Sequence, residues 1–315
     1  MKNAPPTEGQ VVSLNISKEK GASKKPVNEV EVTMTGIAGD AHAGVWHRQI
    51  SLLAIESVKR FSDASGRAFG YGDFAENITT DGINLLDAAM LDRFTIGDVE
   101  LEVTQLGKKC HGDGCAIYQE VGRCVMPREG IFCRVLRGGN IKPGDAIVYH
   151  PRYLECRVIT LSDRAHQGAY EDLSGPRIQK HLHDFFKKTR WHPRITGNIL
   201  PDDAALLRQA LDAAKDERVD IVITTGGTGI GPRDITPDVV TALADKLIPG
   251  IMEYIRVACG ATKPNALLSR SVAAVIGGTL VYTLPGSAKA VDEYMSEIIK
   301  TLEHALLMAH GLDAH

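Results

Sequence analysis

The sequence predicts two domains of different fold class: a largely antiparallel β barrel or sandwich over residues 1–152, and an α/β domain with a doubly wound, mainly parallel sheet over residues 153–315. Short segments that alternate apolar and polar residues fill the first half, which is typical of antiparallel strands. Short apolar strands alternate with helical patterns in the second half, which is typical of a parallel sheet covered by helices. The pattern changes near residues 150–154, and 315 residues suffice for two cores.

Local patterns predict the elements of each half. The first half is predicted to contain strands over residues 10–16, 29–35, 49–53, 98–103 and 145–149 and a helix over 54–61. The second half is predicted to contain strands over residues 156–161, 194–199, 219–224, 272–276 and 279–284, helices over 175–188 and 203–216, and a terminal helix. One face of the terminal helix carries the apolar residues Val291, Tyr294, Met295, Ile298, Ile299, Leu302, Leu306 and Ala309.

Composition narrows the class of protein. A formal net charge of -3 gives no general attraction to nucleic acid or to a membrane surface. The start of the chain has no signal-peptide pattern and no apolar stretch is long enough to span a bilayer, so we expect a cytoplasmic protein without nucleic-acid or membrane partners. Under those conditions the six cysteines are not expected to form a disulfide framework.

A glycine-rich loop follows the predicted strand 219–224. It contains Thr225, Gly226, Gly227, Thr228 and Gly229 and continues through Gly231 to Arg233 and Asp234. Such a loop can turn several backbone N–H groups toward one anion, and Thr236 then reads as the N-cap of a helix. No Lys-Ser or Lys-Thr pair follows, as a P-loop requires, and the glycine spacing does not match a dinucleotide fingerprint. A tight turn whose glycines only shape the backbone is the alternative.

Other polar residues are predicted to lie at the same edge of the sheet. Arg164, Arg233 and Arg270 can pair with phosphates, and Asp202 and Asp234 can hold Mg²⁺. Asp202 can equally be a helix N-cap. The sequence shows no Ser-His-Asp set and no histidine cluster. The arginines, the aspartates and the glycine loop therefore favour phosphoryl or nucleotidyl transfer, in which catalysis depends on positioning and charge neutralisation. The further predicted phosphate- or substrate-binding residues are Ser162, Asn265, Ser269, Pro285, Gly286 and Ser287.

These motifs resemble the molybdopterin adenylyltransferase family of molybdenum cofactor synthesis, whose domain is of the molybdopterin-binding type. The resemblance covers about residues 155–310 and rests on residues 158–164, 170–176, 224–237, 247–250, 265, 268–270 and 284–287. It implies that molybdopterin and Mg-ATP react to give adenylyl-molybdopterin and pyrophosphate. It assigns catalysis and magnesium binding to Asp202 and Asp234, and contact with the pterin phosphate or nucleotide to the glycine loop and Ser287. It also implies a homo-oligomer, a trimer or hexamer.

In the first half, Cys110 follows two lysines and precedes His111. Positive charge near a thiol lowers its pKa, and a thiolate can carry persulfide sulfur or bind a soft metal. A loop cysteine without a role is one alternative. The other is a zinc site built from Cys110, His111, Cys115, Cys124 and Cys133.

The surrounding residues look like a MOSC domain, a β barrel of the molybdenum cofactor sulfurase C-terminal type. The resemblance covers about residues 8–150 and rests on residues 36–44, 49–53, 72–80 and 96–98. It implies molybdenum cofactor binding or sulfur transfer, with Cys110 at the family's catalytic and molybdenum-binding cysteine. Residues 106–109 stand where many members have a proline and an arginine before the cysteine, so the role of that arginine is left open here. Lys108 or Lys109 can substitute for it only as a point charge. Asp40 and His42 either line the pocket or are a turn former and a surface residue, respectively. Glu76 and Asn77 either hold ligand or end a strand.

Together the two resemblances predict a bifunctional protein of cofactor assembly. One half adenylylates molybdopterin with ATP, and the other binds, sulfurates or hands on the cofactor. The expected protein partners are a cysteine desulfurase, a molybdate-inserting protein or a recipient molybdoenzyme. A carrier or chaperone that binds the pterin in both halves without turnover is the alternative.

Overall fold

The computed structural model describes residues 7–108 and 124–312, which divide into two compact units, Met1–Arg152 and Tyr153–His315. Cys110, His111 and Cys115, on which the thiol and zinc predictions depend, lie outside the described residues. Among the residues described, no helix has the length and apolar character needed to cross a membrane.

The first unit is a closed barrel of seven strands. Neighbouring strands pair in the order β1-β11-β7-β8-β9-β5-β6, and β6 pairs with β1 to close the ring. The pairs are antiparallel except β5 with β6, which are parallel and connected through α1. The strands of the unit are β1 Thr7–Ile16, β2 Lys25–Val27, β3 Val30–Thr33, β4 Gly36–Ile37, β5 Ile50–Ala54, β6 Ile78–Asp81, β7 Arg93–Ile96, β8 Val99–Leu106, β9 Ile131–Arg137, β10 Gly139–Ile141 and β11 Ala146–His150. Its helices are α1 Ile55–Ser65, the one-turn α2 Met126–Glu129 and a 3₁₀ turn at Leu85–Asp87.

Alternating side chains of these strands form the barrel interior. Leu14, Ile50, Ile78, Phe94 and Leu101 are fully buried in one apolar cluster. Strand periodicity of two, with one face buried, is what the alternating sequence segments predicted. The prediction of a mainly antiparallel barrel is confirmed.

The second unit is a six-stranded sheet with the order β13-β12-β14-β17-β16-β15. The four strands β13, β12, β14 and β17 run parallel, β16 pairs antiparallel with β17, and β15 pairs antiparallel with β16. The strands are β12 Tyr153–Leu161, β13 His192–Leu200, β14 Ile221–Thr225, β15 Lys246–Leu247, β16 Ala273–Ile276 and β17 Thr279–Leu284. The helices are α3 Asp163–His166, α4 Ser174–Phe186, α5 Ala204–Asp216, α6 Thr236–Leu243, α7 Pro249–Gly260 and α8 Ala288–Ala309, with a 3₁₀ segment at Pro264–Leu268. The predicted mainly parallel sheet is confirmed, and the carboxyl ends of the four parallel strands share one edge.

Three details of this unit differ from the sequence predictions. Thr236 is the first residue of α6, not its N-cap, and its hydroxyl donates to the carbonyl of Gly226 at 3.0 Å. Helix α7 was not predicted, because Pro249 and Gly250 at its start read as a turn. On α8, Ile299 is only half-buried and Ala309 is exposed, while the other six predicted residues are buried.

Candidate active site

A cleft of about 820 Å³ opens at the carboxyl ends of β14 and β17. The glycine loop after β14 forms one wall, and the turn between β17 and α8 forms another. Ten of the predicted site residues line the cleft: Gly226, Gly227, Thr228, Gly229, Asp234, Asn265, Ser269, Pro285, Gly286 and Ser287. The structure therefore brings together most of the residues that the sequence motifs selected.

Backbone conformation explains why the loop requires its first two glycines. Gly226 and Gly227 have φ angles of +100° and +60°, which side chains other than hydrogen disfavour. A Cβ on Gly226 would lie 2.2 Å from the carbonyl oxygen of Leu161. The Thr225 hydroxyl donates to the carbonyl of Pro285 at 2.9 Å, which ties the two walls of the cleft together. Thr225 is therefore a brace behind the cleft and does not line it.

Two predicted serines cap helices at this edge of the sheet. Ser287 is the N-cap of α8 and accepts a hydrogen bond from the N–H of Ala290 at 3.2 Å. Ser162 does the same for the short α3, accepting from Ala165 at 3.2 Å, and it does not line the cleft. The N-terminus of the long helix α8 thus faces the cleft with the partial positive charge that favours an anion.

Of the two predicted aspartates only Asp234 lines the cleft, and Asp202 lies close enough for the charge of Asp234 to affect its pKa. Burial, and then the negative charge of Asp234, raise the pKa of Asp202. Asp203, not Asp202, is the N-cap of α5, since its carboxylate accepts from the N–H groups of Ala205 and Leu206 at 2.8 and 3.0 Å. The capping alternative for Asp202 is therefore wrong, and its carboxylate has no structural role in α5.

Asp234 is held by its own loop. Its Oδ2 accepts from the N–H of Gly231 at 2.7 Å, and it lines the cleft. Within the described residues, no group of three or more His, Cys, Asp or Glu side chains is arranged to hold a metal ion. A pair of carboxylates fits Mg²⁺, which in such sites keeps several waters and takes further ligands from substrate phosphates.

The three predicted arginines are engaged with protein groups. Arg233 forms an ion pair with Asp163. Arg270 donates to the carbonyl of Gly229 at 2.7 Å and pairs with Asp238 at 2.9 Å, so it braces the glycine loop. Arg164 lies over the ring of Tyr170, 5.5 Å from its centroid. None of the three lines the cleft, and contact with a ligand phosphate stays a prediction.

The cleft also contains residues that sequence reasoning missed. Lys263 and Glu293 form an ion pair in its lining, beside Cys259 and Tyr294, and Lys289 lies on the first turn of α8. They belong to no glycine or aspartate motif. Tyr294 fits the apolar spacing of α8, and Glu293 is the residue before it on the same helix. Burial and the nearby Glu293 raise the pKa of Cys259, so this thiol is not activated.

A second cleft, of about 490 Å³, lies in the first unit. Four of its lining residues are cationic or become so on protonation: Lys20, His42, Arg48 and Lys108. Arg48 lies over the ring of Trp46, 4.8 Å from its centroid, and its buried Nε has no hydrogen-bond partner in the described part of the chain. His42 thus lines a pocket and is not merely a surface residue.

The other polar residues singled out in this unit have structural partners. Asp40 is buried and pairs with the buried Lys24 at 2.5 Å. Burial opposes ionisation of Asp40, but hydrogen bonds from His42 and Lys24 prevail and lower its pKa. Glu76 accepts from the N–H of Gly72 at 2.7 Å, and burial raises its pKa. The Asn77 side chain bridges β5 and β1, accepting from Ser51 and donating to the carbonyl of Asn15.

The zinc alternative is not supported where the structure can test it. Cys133 lies fully buried in the apolar core of the barrel, and burial raises the pKa of its thiol. Cys124 instead lines the second cleft. The two cysteines therefore lie in different surroundings.

Comparison with known proteins matches both units. A family model described as a probable molybdopterin binding domain matches residues 157–304, and the MOSC domain model matches residues 39–148. The molybdopterin adenylyltransferase of Helicobacter pylori is 34% identical over 156 residues, which cover 49% of this chain and 86% of that protein. The chain belongs to the molybdopterin adenylyltransferase family.

Two longer relatives match over a similar length. The molybdenum cofactor biosynthesis bifunctional protein of Synechococcus elongatus is 36% identical over 156 residues, 50% of this chain and 47% of that protein. The molybdenum cofactor synthesis protein cinnamon of Drosophila melanogaster is 37% identical over 150 residues, 47% of this chain and 24% of that protein. The chain thus spans half or less of the length of these two relatives. The solved molybdopterin biosynthesis Mog protein of Mycobacterium ulcerans is 34% identical, with a TM-score of 0.46 over 51% of this chain and 99% of that protein.

Proposed function

We propose that the second unit is a molybdopterin adenylyltransferase, acting within molybdenum cofactor biosynthesis. It transfers the adenylyl group of ATP to the terminal phosphate of molybdopterin and releases pyrophosphate. The observation that carries this proposal is the carboxylate pair Asp202 and Asp234 beside a glycine loop, in a chain that matches the adenylyltransferases over this region. The cleft of about 820 Å³ is of the size that small-molecule sites have.

The reaction requires one bond to form and one to break. An oxygen of the molybdopterin phosphate attacks the α-phosphorus of ATP, and the bond from that phosphorus to the bridging oxygen of the β-phosphate breaks. All the reacting groups are negatively charged, so catalysis depends on holding them in line and on neutralising charge. The N–H groups of the loop from Gly226 to Gly229, with the N-terminus of α8 at Ser287, would hold a phosphate. Lys289 adds positive charge to the same cleft, whereas the charge of Lys263 is paired with that of Glu293.

Asp202 and Asp234 would hold Mg²⁺. Burial and the nearby charge of Asp234 raise the pKa of Asp202, and a bound cation would offset the negative charge of both carboxylates. When bound, the ion offsets the charge of the phosphates and of the leaving pyrophosphate. Asp202 and Asp234 would therefore act by holding the ion beside the phosphates.

Replacing each of two adjacent aspartates tests this assignment. Asp202→Asn removes a carboxylate of the pair, whereas Asp203→Asn keeps the cap of α5, because asparagine caps helices as well as aspartate does. We expect Asp202→Asn and Asp234→Asn to lose at least about 100-fold in kcat, with molybdopterin binding still detectable, and Asp203→Asn to retain wild-type turnover. Pyrophosphate release from ATP and molybdopterin is the assay. Tight molybdopterin binding without pyrophosphate release from the wild-type chain would instead favour the carrier alternative.

For the first unit, we propose that the cationic cleft binds the molybdenum cofactor through its phosphate, and that Cys110 carries sulfur or contacts the metal. The support is the cationic lining, the MOSC match and the buried Nε of Arg48, which finds no acceptor among the described residues. Lys108 and Cys124, the nearest described residues on either side of the segment that contains Cys110, both line this cleft. A cysteine desulfurase would supply the sulfur, and a molybdate-inserting protein or a recipient molybdoenzyme would exchange cofactor with this unit. We also propose that the chain is a trimer or hexamer.

The two tryptophans of the chain give a direct test, because Trp46 lines the cleft and Trp191 is buried in the second unit. In a Trp191→Phe background, added molybdenum cofactor should quench the fluorescence of Trp46, and Arg48→Ala should weaken that binding about 10-fold, the loss of one charge-assisted hydrogen bond. Sulfur transfer further predicts a persulfide on Cys110, detected by mass spectrometry after incubation with a cysteine desulfurase and cysteine. Unchanged function of Cys110→Ser in cells would exclude that role.

A further inference from the structure

We propose that Asp163 is a positioning residue that fixes the metal-binding carboxylates, by fastening the segments that follow three neighbouring strands. Asp163 follows Ser162, the first residue after β12. Asp202 follows β13, and Arg233 belongs to the loop after β14. Neither the glycine loop nor the aspartate motif includes Asp163, and it does not line the cleft. This inference rests on the proposed function, since it concerns the same carboxylates.

Asp163 and Asp202 are joined by two reciprocal hydrogen bonds. The N–H of Asp202 donates to Oδ1 of Asp163 at 3.0 Å, and the N–H of Asp163 donates to Oδ2 of Asp202 at 3.3 Å. Each carboxylate therefore satisfies the backbone of the other residue. The bond to its Oδ2 restricts the rotation of the Asp202 side chain and leaves Oδ1 for a cation.

The second oxygen of Asp163 reaches the glycine loop. Its Oδ2 pairs with the guanidinium of Arg233, the residue before Asp234. One carboxylate thus contacts the segment of Asp202 on one side and the segment of Asp234 on the other. The arginine also offsets the negative charge of Asp163, which would otherwise add to the repulsion between the other two carboxylates.

These contacts are partly shielded from water. The Asp163 side chain is 23% exposed, so its hydrogen bonds are stronger than those of a fully exposed pair. Arg233 is 66% exposed, and its charge contributes mainly orientation. A shift of about 1 Å in a catalytic group can cost about 100-fold in rate, so a residue that sets the separation of two metal ligands affects metal affinity more than folding.

The test measures metal binding directly, with Mn²⁺ as the probe. Free Mn²⁺ is followed by its electron paramagnetic resonance signal while the full chain is titrated in the presence of ATP. We expect Asp163→Ala to weaken Mn²⁺ binding about 10-fold, or about 1.4 kcal/mol. Asp163→Asn keeps an oxygen for the N–H of Asp202 but loses the charge that faces Arg233, so its loss should be smaller. The matched control is Asp292→Asn, which breaks another Asp–Arg pair of this unit, with Arg177.

Activity and thermal unfolding complete the test. The Asp163 variants should need more Mg²⁺ for half-maximal pyrophosphate release, with an unchanged KM for molybdopterin and a melting temperature close to that of Asp292→Asn. Three results would each overturn the proposal. Asp163→Ala could bind Mn²⁺ with wild-type affinity, the control could lose as much affinity as Asp163→Ala, or the wild-type chain could bind no Mn²⁺. A wild-type chain that binds Mn²⁺ and ATP but does not adenylylate molybdopterin refutes the proposed function alone, and the Mn²⁺ affinities then still decide the role of Asp163.

Discussion

Replacing Gly229 by alanine should impair catalysis without unfolding the chain. A Cβ at this position would lie 2.6 Å from Oδ2 of Asp234 and 3.2 Å from its Cγ. Gly229 has no positive φ, so an alanine fits the backbone, and its carbonyl is held by Arg270. The strain must therefore be relieved by the Asp234 carboxylate.

The size of the effect follows from that contact. The carboxylate must retreat by about 0.8 Å to reach an ordinary contact distance of 3.4 Å, which also loosens its 2.7 Å bond to Gly231. A displacement of this size in a catalytic group corresponds to a loss of about 100-fold in kcat, or about 2.7 kcal/mol in the barrier. The free energy of unfolding should change by less than about 1 kcal/mol, because only the end of a side chain moves.

Pyrophosphate release and chemical unfolding, measured on the same samples, separate the two effects. Gly250→Ala is the matched control, since a Cβ there meets nothing within 4 Å and lies in the first turn of α7. The control should retain wild-type turnover. The reasoning would be refuted if Gly229→Ala turned over within about threefold of wild type. It would also be refuted if the loss of activity only matched the loss of folded protein.

Three further predictions concern stability and thiol reactivity. Gly226→Ala should lower the free energy of unfolding by about 2–4 kcal/mol in denaturant titrations, because its φ is +100° and the new Cβ would meet a backbone carbonyl of β12. Asp40→Asn should destabilise the first unit by about 3–5 kcal/mol, since it leaves Lys24 buried without its carboxylate. Because folding lowers the pKa of Asp40, its carboxylate contributes to the free energy of unfolding at pH values above the unfolded pKa of 3.8, and this contribution is lost progressively as the pH falls below that value. Unfolding measured at several pH values through Trp46 fluorescence would detect the loss. Cys133 and Cys156 should resist iodoacetamide in the native chain at pH 8 and react after unfolding, because burial raises the pKa of both thiols; peptide mass spectrometry gives the labelled positions.

Local patterns were sufficient to predict the two fold classes and the glycine loop. The alternation of β8 and the apolar run of β14 reflect which faces are buried, and burial dominates the energetics of both units. The position of Gly226 and Asp234 in one cleft was predictable because their spacing after a strand restricts where they can lie. Helix α7 was missed, since a proline and a glycine in a first turn look the same in sequence as those in a loop.

Side-chain roles that depend on tertiary contacts could not be predicted. Asp202 and Asp203 are adjacent and chemically identical, and only the extended backbone of Asp203 makes it the cap of α5. The sequence likewise gives no sign that Arg233 pairs with Asp163, because that pair joins residues 70 positions apart. The ion pair of Lys263 with Glu293 is another such contact across the cleft lining.

The most direct test of the central claim is to identify the product formed from ATP and molybdopterin by the purified full chain. The proposed function predicts adenylyl-molybdopterin, identified by mass spectrometry, with one pyrophosphate released for each molecule formed and both absent from Asp234→Asn. Bound molybdopterin recovered unchanged, with no pyrophosphate released, would contradict the claim.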